Sequence, residues 1–92
     1  MNESHAIAAA RTLAREVNKQ IERVALRFES RDGDFLCECG RAECSERLRL
    51  GIAEYDAIRA AGRFVATPGH ELASHDRVIE RHENYVVGEA AV

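Results

Sequence analysis

The 92-residue sequence has no tryptophan, and its aromatic residues are three phenylalanines and two tyrosines. A chain of this length buries only about 60–65% of the surface that its unfolded form exposes. So few large side chains can fill only a small core. Domains of this kind often depend on a metal ion, a disulfide or a partner for their stability. We therefore predict a single domain over residues 1–92 that needs reinforcement beyond its apolar core.

Long apolar runs are also missing. No stretch approaches the roughly 20 apolar residues that a membrane-spanning helix requires, so we expect no membrane partner. At the N-terminus an acidic residue precedes the first arginine, which is the reverse of the order in a secretory signal peptide. These features predict a cytoplasmic protein.

Motifs that carry catalysis are absent from the sequence. It contains no phosphate-binding loop, no His-Glu-x-x-His and no recognisable nucleophile motif. Zinc deaminases pair His-x-Glu with a later Pro-Cys-x-x-Cys, and neither that order nor that spacing occurs. The Cys-x-x-Cys of thiol redox enzymes is missing too. We therefore expect a protein that is not an enzyme.

The first third of the chain predicts one long amphipathic helix over residues 3–29. Its apolar residues alternate in steps of three and four, which keeps them on one face. They are Ile7, Ala10, Ala14, Val17, Ile21, Val24 and Phe28. We expect the C-terminal half of this face, with Val17, Ile21, Val24 and Phe28, to pack on the protein's own sheet. The alternative is that the same four residues bind a protein partner or a second copy.

The remainder predicts a zinc-stapled α+β core over residues 35–87. Alternation and turn residues indicate strands at 35–39, 46–52 and 63–67, a short helix at 53–62, and two strands around a turn at 82–84. A helix over residues 78–82 is the alternative to the first of these two strands. The resulting order, α-β-β-α-β-β-β, favours an α+β fold. In this fold the long N-terminal helix is followed by a small antiparallel sheet with one short helix. We expect a frayed tail from Gly88 onwards.

All three cysteines fall within one short segment, at Cys37, Cys39 and Cys44. Residues i and i+2 of a strand point to the same side, so the first two sulfurs can face one point. Gly40 permits a sharp turn after them, and the following loop is long enough to return the third sulfur. Three converging thiolates make most of a tetrahedral zinc shell. The segment therefore predicts a zinc site that lacks one ligand.

His70 is the best candidate for that fourth ligand. It follows Pro68 and Gly69 directly after a predicted strand, so a defined turn holds it in place. Cys3His is a common structural zinc set. Glu71 could accept a hydrogen bond from the imidazole. An iron–sulfur cluster on the same ligands is an alternative, as are buried unligated cysteines or a disulfide with one odd thiol.

Five segments carry a resemblance to known sequences. They are REVNKQIERV, FLCECGRAECSERLRL, EYDAIR, RFVATPGHE and NYVV. Together they resemble a set of small uncharacterised bacterial proteins that share Cys-x-Cys-x4-Cys followed by Pro-Gly-His-Glu, over most of residues 15–87. The resemblance implies a metal site at Cys37, Cys39, Cys44 and His70, and it implies no activity. The chain departs from the set at Gly51, where Thr or Ser usually caps the helix.

A row of cations on the long helix suggests a second type of partner. Its members are Arg11, Arg15, Lys19, Arg23, Arg27 and Arg31. Such a row could bind nucleic acid, but it spirals around the helix and is interleaved with Glu16 and Glu22, and the net charge of the protein is −3. We therefore expect a zinc-binding interaction or regulatory module. Nucleic-acid binding and thiol or metal redox sensing are the alternatives.

Overall fold

A computed structural model of the chain describes residues 3–41, 43–70 and 76–90. Its elements are helix α1 (Glu3–Arg27), strands β1 (Asp32–Leu36) and β2 (Arg47–Gly51), helix α2 (Ile52–Ala60), and strands β3 (Phe64–Ala66), β4 (Arg77–Arg81) and β5 (Val86–Glu89). The predicted α+β class and element order are confirmed. The strands form two antiparallel sheets, β1–β2 and β3–β5–β4. Among the described residues, no helix is both long and apolar enough to cross a membrane.

The buried face of α1 differs from the predicted one. Arg11, Asn18 and Ala25, one heptad apart, are its buried residues, whereas Val17, Val24 and Phe28 are 42%, 52% and 75% exposed. The prediction that this half of the apolar face packs on the sheet holds only for Ile21, which contacts the core. At 100° per residue, the predicted face is rotated by about 70° from the packed one. Two polar residues at the centre of the buried face caused this error.

Those polar residues bind backbone. The Asn18 side chain pairs with Leu36 as a neighbouring strand would: its Nδ2 donates to the Leu36 carbonyl (3.0 Å), and its Oδ1 accepts from the Leu36 N–H (2.6 Å). Leu36 is the last residue of β1. The helix is therefore held to the end of β1 by hydrogen bonds as well as by packing.

The β1–β2 pair shows the predicted alternation along β2, with Leu48 and Leu50 buried and Arg47 and Arg49 exposed. Opposite Leu48 lies Phe35, whose ring stacks on Tyr55 of α2 at a centroid distance of 4.2 Å. This stack ties the hairpin to the second helix.

The strand predicted over residues 35–39 ends earlier than expected, at Leu36. The Cys37 N–H still donates to the Glu46 carbonyl (2.9 Å), but the next N–H, that of Glu38, donates to the Val65 carbonyl of β3 (2.8 Å). The chain thus leaves one sheet and joins the other between these two residues. The cysteines lie at this crossing point.

The turn predicted at residues 82–84 is confirmed between β4 and β5. The frayed tail predicted from Gly88 onwards is wrong for Gly88 and Glu89, which belong to β5, and residues 91–92 lie outside the described residues. Gly88 is buried in β5 and pairs with Phe64. A Cβ on Gly88 would lie 2.3 Å from Cζ of Phe64, so the ring occupies the space that a side chain would need. Glycine at position 88 therefore allows the Phe64 ring to pack directly against the backbone of β5.

Candidate metal centre

Four donor side chains meet where the two sheets join. Cys37 and Cys39 follow β1, Cys44 lies in the loop before β2, and His70 follows β3. Their ligand atoms all lie within 4.8 Å of one another. His70 Nδ1 is 3.8 Å from Cys37 Sγ and 3.6 Å from Cys44 Sγ. The structure therefore brings together the four residues that the sequence singled out, and this group is positioned to bind a metal.

The spacing suits a single ion. Zinc–sulfur bonds of about 2.3 Å and zinc–nitrogen bonds of about 2.0–2.1 Å, set at the tetrahedral angle, separate S and N by about 3.6 Å. The separations between His70 and the two sulfurs, 3.6 and 3.8 Å, are close to this value. The donors are therefore arranged for coordination with little movement.

A tight turn positions His70. The Thr67 carbonyl accepts a hydrogen bond from the His70 N–H (2.8 Å), Pro68 follows Thr67, and Gly69 has a φ of +94°. This combination is a type II turn, whose third residue must tolerate positive φ. The Thr67 N–H donates to Cys37 Sγ at 3.1 Å. The same turn thus orients the imidazole and places a hydrogen-bond donor on a thiol.

The cysteine loop turns beneath α1. Gly40 has a φ of +92°, and a Cβ there would lie 2.5 Å from Cγ2 of Ile7. The next residue, Arg41, has its backbone N–H hydrogen-bonded to the Cys39 sulfur, and its carbonyl accepts from the Cys44 N–H (3.2 Å). Glycine is therefore required at position 40 both by the backbone and by the contact with the helix.

Burial dominates the ionisation of the Cys39 thiol. It raises the pKa of Cys39 to about 12, and the nearby Cys37 adds to the increase, while the Arg41 N–H opposes it. A thiol in this environment stays protonated at neutral pH unless a cation stabilises the thiolate. A metal ion among the four donors would supply that charge, so the donor set and its environment fit a divalent ion.

Behind the metal group lies a buried carboxylate that the sequence analysis missed. Glu38, between the two inner cysteines, is fully buried. It accepts hydrogen bonds from Asn18 Nδ2 (2.9 Å), the Tyr55 hydroxyl (2.6 Å) and the Val65 N–H (3.1 Å). Both burial and the Glu38 charge raise the pKa of Tyr55. One side chain thereby connects α1, α2 and β3.

Arg11 holds the cysteine segment from the helix side. Its Nε donates to the Glu38 carbonyl (2.7 Å), and its Nη2 donates to the Cys39 carbonyl (3.2 Å) and pairs with Asp76 (2.8 Å). The guanidinium lies 3.9 Å above the centre of the Phe64 ring. Only 5% of Arg11 is exposed.

This placement corrects the predicted basic row. Arg11 is buried and engaged, so it is not part of a surface for nucleic acid. Arg15 is half-buried, and burial together with the charge of Arg59 lowers its pKa. The exposed members of the row are Lys19, Arg23, Arg27 and Arg31.

One signal could have revealed the network. If Cys37 and Cys39 face the metal, strand alternation directs Glu38 to the opposite side, where α1 packs. A carboxylate there requires donors, and Arg11 and Asn18 lie one heptad apart on the facing helix. Nothing in the local pattern indicates, however, that these two polar residues are the buried ones. Glu71, predicted to support His70, lies outside the described residues.

Comparison with known proteins finds no matching family model, no matching curated protein and no matching solved structure. The functional interpretation therefore depends on the geometry of the four donors and their surroundings.

Proposed function

We propose that this chain is a small, non-enzymatic zinc-binding protein in which Cys37, Cys39, Cys44 and His70 hold one structural Zn²⁺. The observation that carries the proposal is the mutual separation of 4.8 Å or less among the four ligand atoms. Three thiolates and an imidazole complete a tetrahedral shell, whereas catalytic zinc keeps a position open for water or substrate. Three thiolates also make the ion a poor Lewis acid.

The same spacing favours one ion over an iron–sulfur cluster. Ligands in a tetrahedral shell around one ion lie about 3.6–3.8 Å apart, and the four ligand atoms here all lie within 4.8 Å of one another. A cluster inserts further irons and sulfides between its ligands and so spreads them more widely. Thiolates with one imidazole also suit zinc.

We propose a structural role because the four ligands come from three separate parts of the fold. An ion among them would link the end of β1, the loop before β2 and the turn after β3. In sites this small, metal binding supplies folding free energy directly. The free thiols suit the reducing cytoplasm, where we propose that the protein acts. We also propose kinship with the bacterial set that shares the cysteine and Pro-Gly-His pattern.

We further propose that the module works by binding another protein through α1. The helix presents Leu13, Val17 and Val24, and the turn that directly follows it presents Phe28, with 42–75% of each exposed. Apolar side chains aligned on one exposed face are typical of an interaction surface. The metal-supported sheets would then act as a rigid base for this helix.

Metal analysis tests the proposed zinc site. Protein purified without added metal should contain one zinc per chain and absorb no visible light. His70→Ala and Cys44→Ser should each lower the zinc content, whereas His82→Ala, at an exposed turn, should leave it unchanged. Iron together with visible absorption would show that the site holds an iron–sulfur cluster instead of zinc. A metal-free, fully folded protein would refute the proposal.

Oxidant sensing is a second candidate function, favoured by the half-exposed position of Cys44. Hydrogen peroxide would take two electrons from two thiolates, which then form a disulfide. The peroxide takes up two protons from solvent and leaves as two waters. The ion is released because two of its ligands are lost. A zinc-sensitive dye would report the release. Unchanged zinc content under peroxide that oxidises an exposed control thiol would exclude this function.

A further inference from the structure

Of the exposed large apolar residues in the described part of α1 and the turn that follows it, all but Leu26 lie on one side of the helix. Steps of four and three separate most of the apolar residues on this side, as in a helix that packs against another helix. We call this set the α1 stripe: Ala6, Ala10, Leu13, Val17, Val24 and Phe28. Leu13 and Phe28 are the most exposed, at 69% and 75%. No described element covers them.

The two ends of the stripe differ in shape. Along the N-terminal half runs a groove of about 340 Å³ between α1 and the cysteine loop. On the helix side it is lined by four alanines, Ala6, Ala9, Ala10 and Ala14, together with Leu13 and Val17. We call it the alanine groove. At the other end, Phe28 projects into solvent.

These features are arranged symmetrically about one residue. Ala6 and Phe28 lie equally far from Val17 along the chain, on opposite sides, and so do Ala10 and Val24. If two α1 helices cross antiparallel at Val17, each Phe28 meets the partner's alanine groove, and each Val24 meets the partner's Ala10. Phe28 and Val24 then each face an alanine of the partner, while Val17 faces Val17 at the crossing point and Leu13 faces Ile21. Each contact away from the crossing point occurs twice, as a two-fold interface requires. A parallel pair would instead oppose Phe28 to Phe28.

We propose that the occupant of the α1 stripe is a second copy of this chain, docked antiparallel with Phe28 of each copy in the alanine groove of the other. The inference rests on the proposed interaction role and identifies its partner. Charge at the groove agrees with it. Arg41 lines the groove, where the partner's helix would place the negative end of its dipole and Glu29.

The size of the contact sets its expected strength. A strip about 35 Å long and about 10 Å wide covers roughly 350 Å² on each copy. This is about half of the roughly 800 Å² per partner of a standard interface. We therefore expect a reversible dimer that dissociates in the micromolar range.

Sedimentation equilibrium of the protein as purified, over that concentration range, tests the dimer. The mass of the wild type should rise from that of one chain to that of two. Phe28→Glu and Ala6→Lys should each weaken dimerisation at least tenfold. Leu26→Glu is the matched control, because Leu26 is 59% exposed on the opposite side of the same helix. It should leave dimerisation unchanged.

Mixing the two interface variants tests the orientation. In an antiparallel mixed dimer, the introduced carboxylate meets the introduced ammonium at one end, and the original Phe28–Ala6 contact forms at the other. The mixture should therefore dimerise more tightly than either variant alone. A parallel pair has no such match, so a mixture that is no tighter overturns the proposed arrangement.

Zinc content and thermal unfolding of each sample separate this inference from the proposed function. A wild type that contains zinc but stays monomeric at every concentration refutes the dimer alone. A dimer that forms without zinc refutes the zinc site alone. Equal dissociation by Leu26→Glu and Phe28→Glu would also refute the assigned interface.

Discussion

Glu38 illustrates how much of the fold one side chain can organise. Its carboxylate is the common acceptor for donors from α1, α2 and β3, and its backbone carbonyl accepts from Arg11. Donors that are buried without an acceptor cost more than the hydrogen bond itself contributes. Substitutions of Glu38 should therefore weaken the packing of α1, α2 and β3 together.

We predict that Glu38→Ala destabilises the protein by about 3 kcal/mol or more, because three buried donors lose their acceptor. Glu38→Gln keeps the shape and one carbonyl oxygen, so its cost should be smaller. Urea unfolding followed by circular dichroism measures both, with Glu46→Ala, at an exposed loop position, as the control. A wild-type midpoint for Glu38→Ala would show that the carboxylate network contributes little.

The two tyrosines predict a decline in stability at alkaline pH. Burial, together with the hydrogen bond to Glu54, raises the pKa of Tyr85 to about 12, and burial raises the pKa of Tyr55 as well. In the unfolded chain both ionise near pH 10. The folded state retains protons that the unfolded state loses, so stability is intact below about pH 10 and falls as the pH rises towards 12.

Thermal unfolding between pH 9 and pH 12 measures this decline, and Tyr85→Phe should make it shallower. Tyrosinate absorbance at the same pH values reports the ionisation directly. If both tyrosines ionise near pH 10 while the protein stays folded, the hydroxyls are less shielded than their burial implies.

At the residue scale the metal group could be predicted from the sequence, while its support could not. Cys37, Cys39 and Cys44 are close in the chain, and His70 follows a recognisable turn, so local geometry nearly determines their arrangement. Arg11, Asn18 and Glu38 contact one another only through the tertiary fold. A charged or amide side chain on a helix is usually solvated, and hydrophobic pattern alone therefore assigns these residues to the surface.

At the element scale, α1 shows the same limit. Its extent could be predicted, because periodicity over 25 residues is a strong signal. Its orientation could not, because the face against β1 carries Arg11 and Asn18 and an apolar stripe is left exposed. The error in β1 has a related cause. Cys37 and Cys39 continue the alternation of the strand, although the N–H of Glu38, between them, already donates to Val65 of the other sheet.

Gly88 provides a prediction for the second sheet. Gly88→Ala should destabilise the protein by about 1–3 kcal/mol, because the new methyl group overlaps the Phe64 ring. The ring cannot move freely, since Arg11 lies over its face. A double-mutant cycle with Phe64→Leu checks the cause by chemical denaturation. Additive effects of the two substitutions would show that the overlap is not responsible.

At the scale of the whole molecule, the two sheets meet at a segment of a few residues. The described residues contain a small apolar core, whose buried aromatic rings are Phe35, Tyr55, Phe64 and Tyr85. The order of elements and the α+β class could be predicted, because each element has its own local signal. The division into two sheets could not, since strand partners depend on where the cysteine segment crosses.

We predict that removal of the proposed zinc ion loosens the entire molecule. A zinc chelator should lower the unfolding temperature and broaden the transition, because metal binding of about 10–16 kcal/mol in small sites is folding free energy. Circular dichroism melts with and without chelator measure this effect. Added Zn²⁺ should restore the transition, and added Mg²⁺, which prefers oxygen ligands, should not. An unchanged melt after complete removal would show that the apolar core suffices.

The pairing of Asn18 with Leu36 has a consequence for behaviour at high concentration. An edge strand with unpaired backbone N–H and C=O groups is a template to which strands of other chains can add, and such addition can continue into fibres. By occupying the N–H and carbonyl of Leu36, the carboxamide of Asn18 blocks that addition at the end of β1. We therefore expect that replacing Asn18 with leucine favours insoluble assemblies even where folding survives.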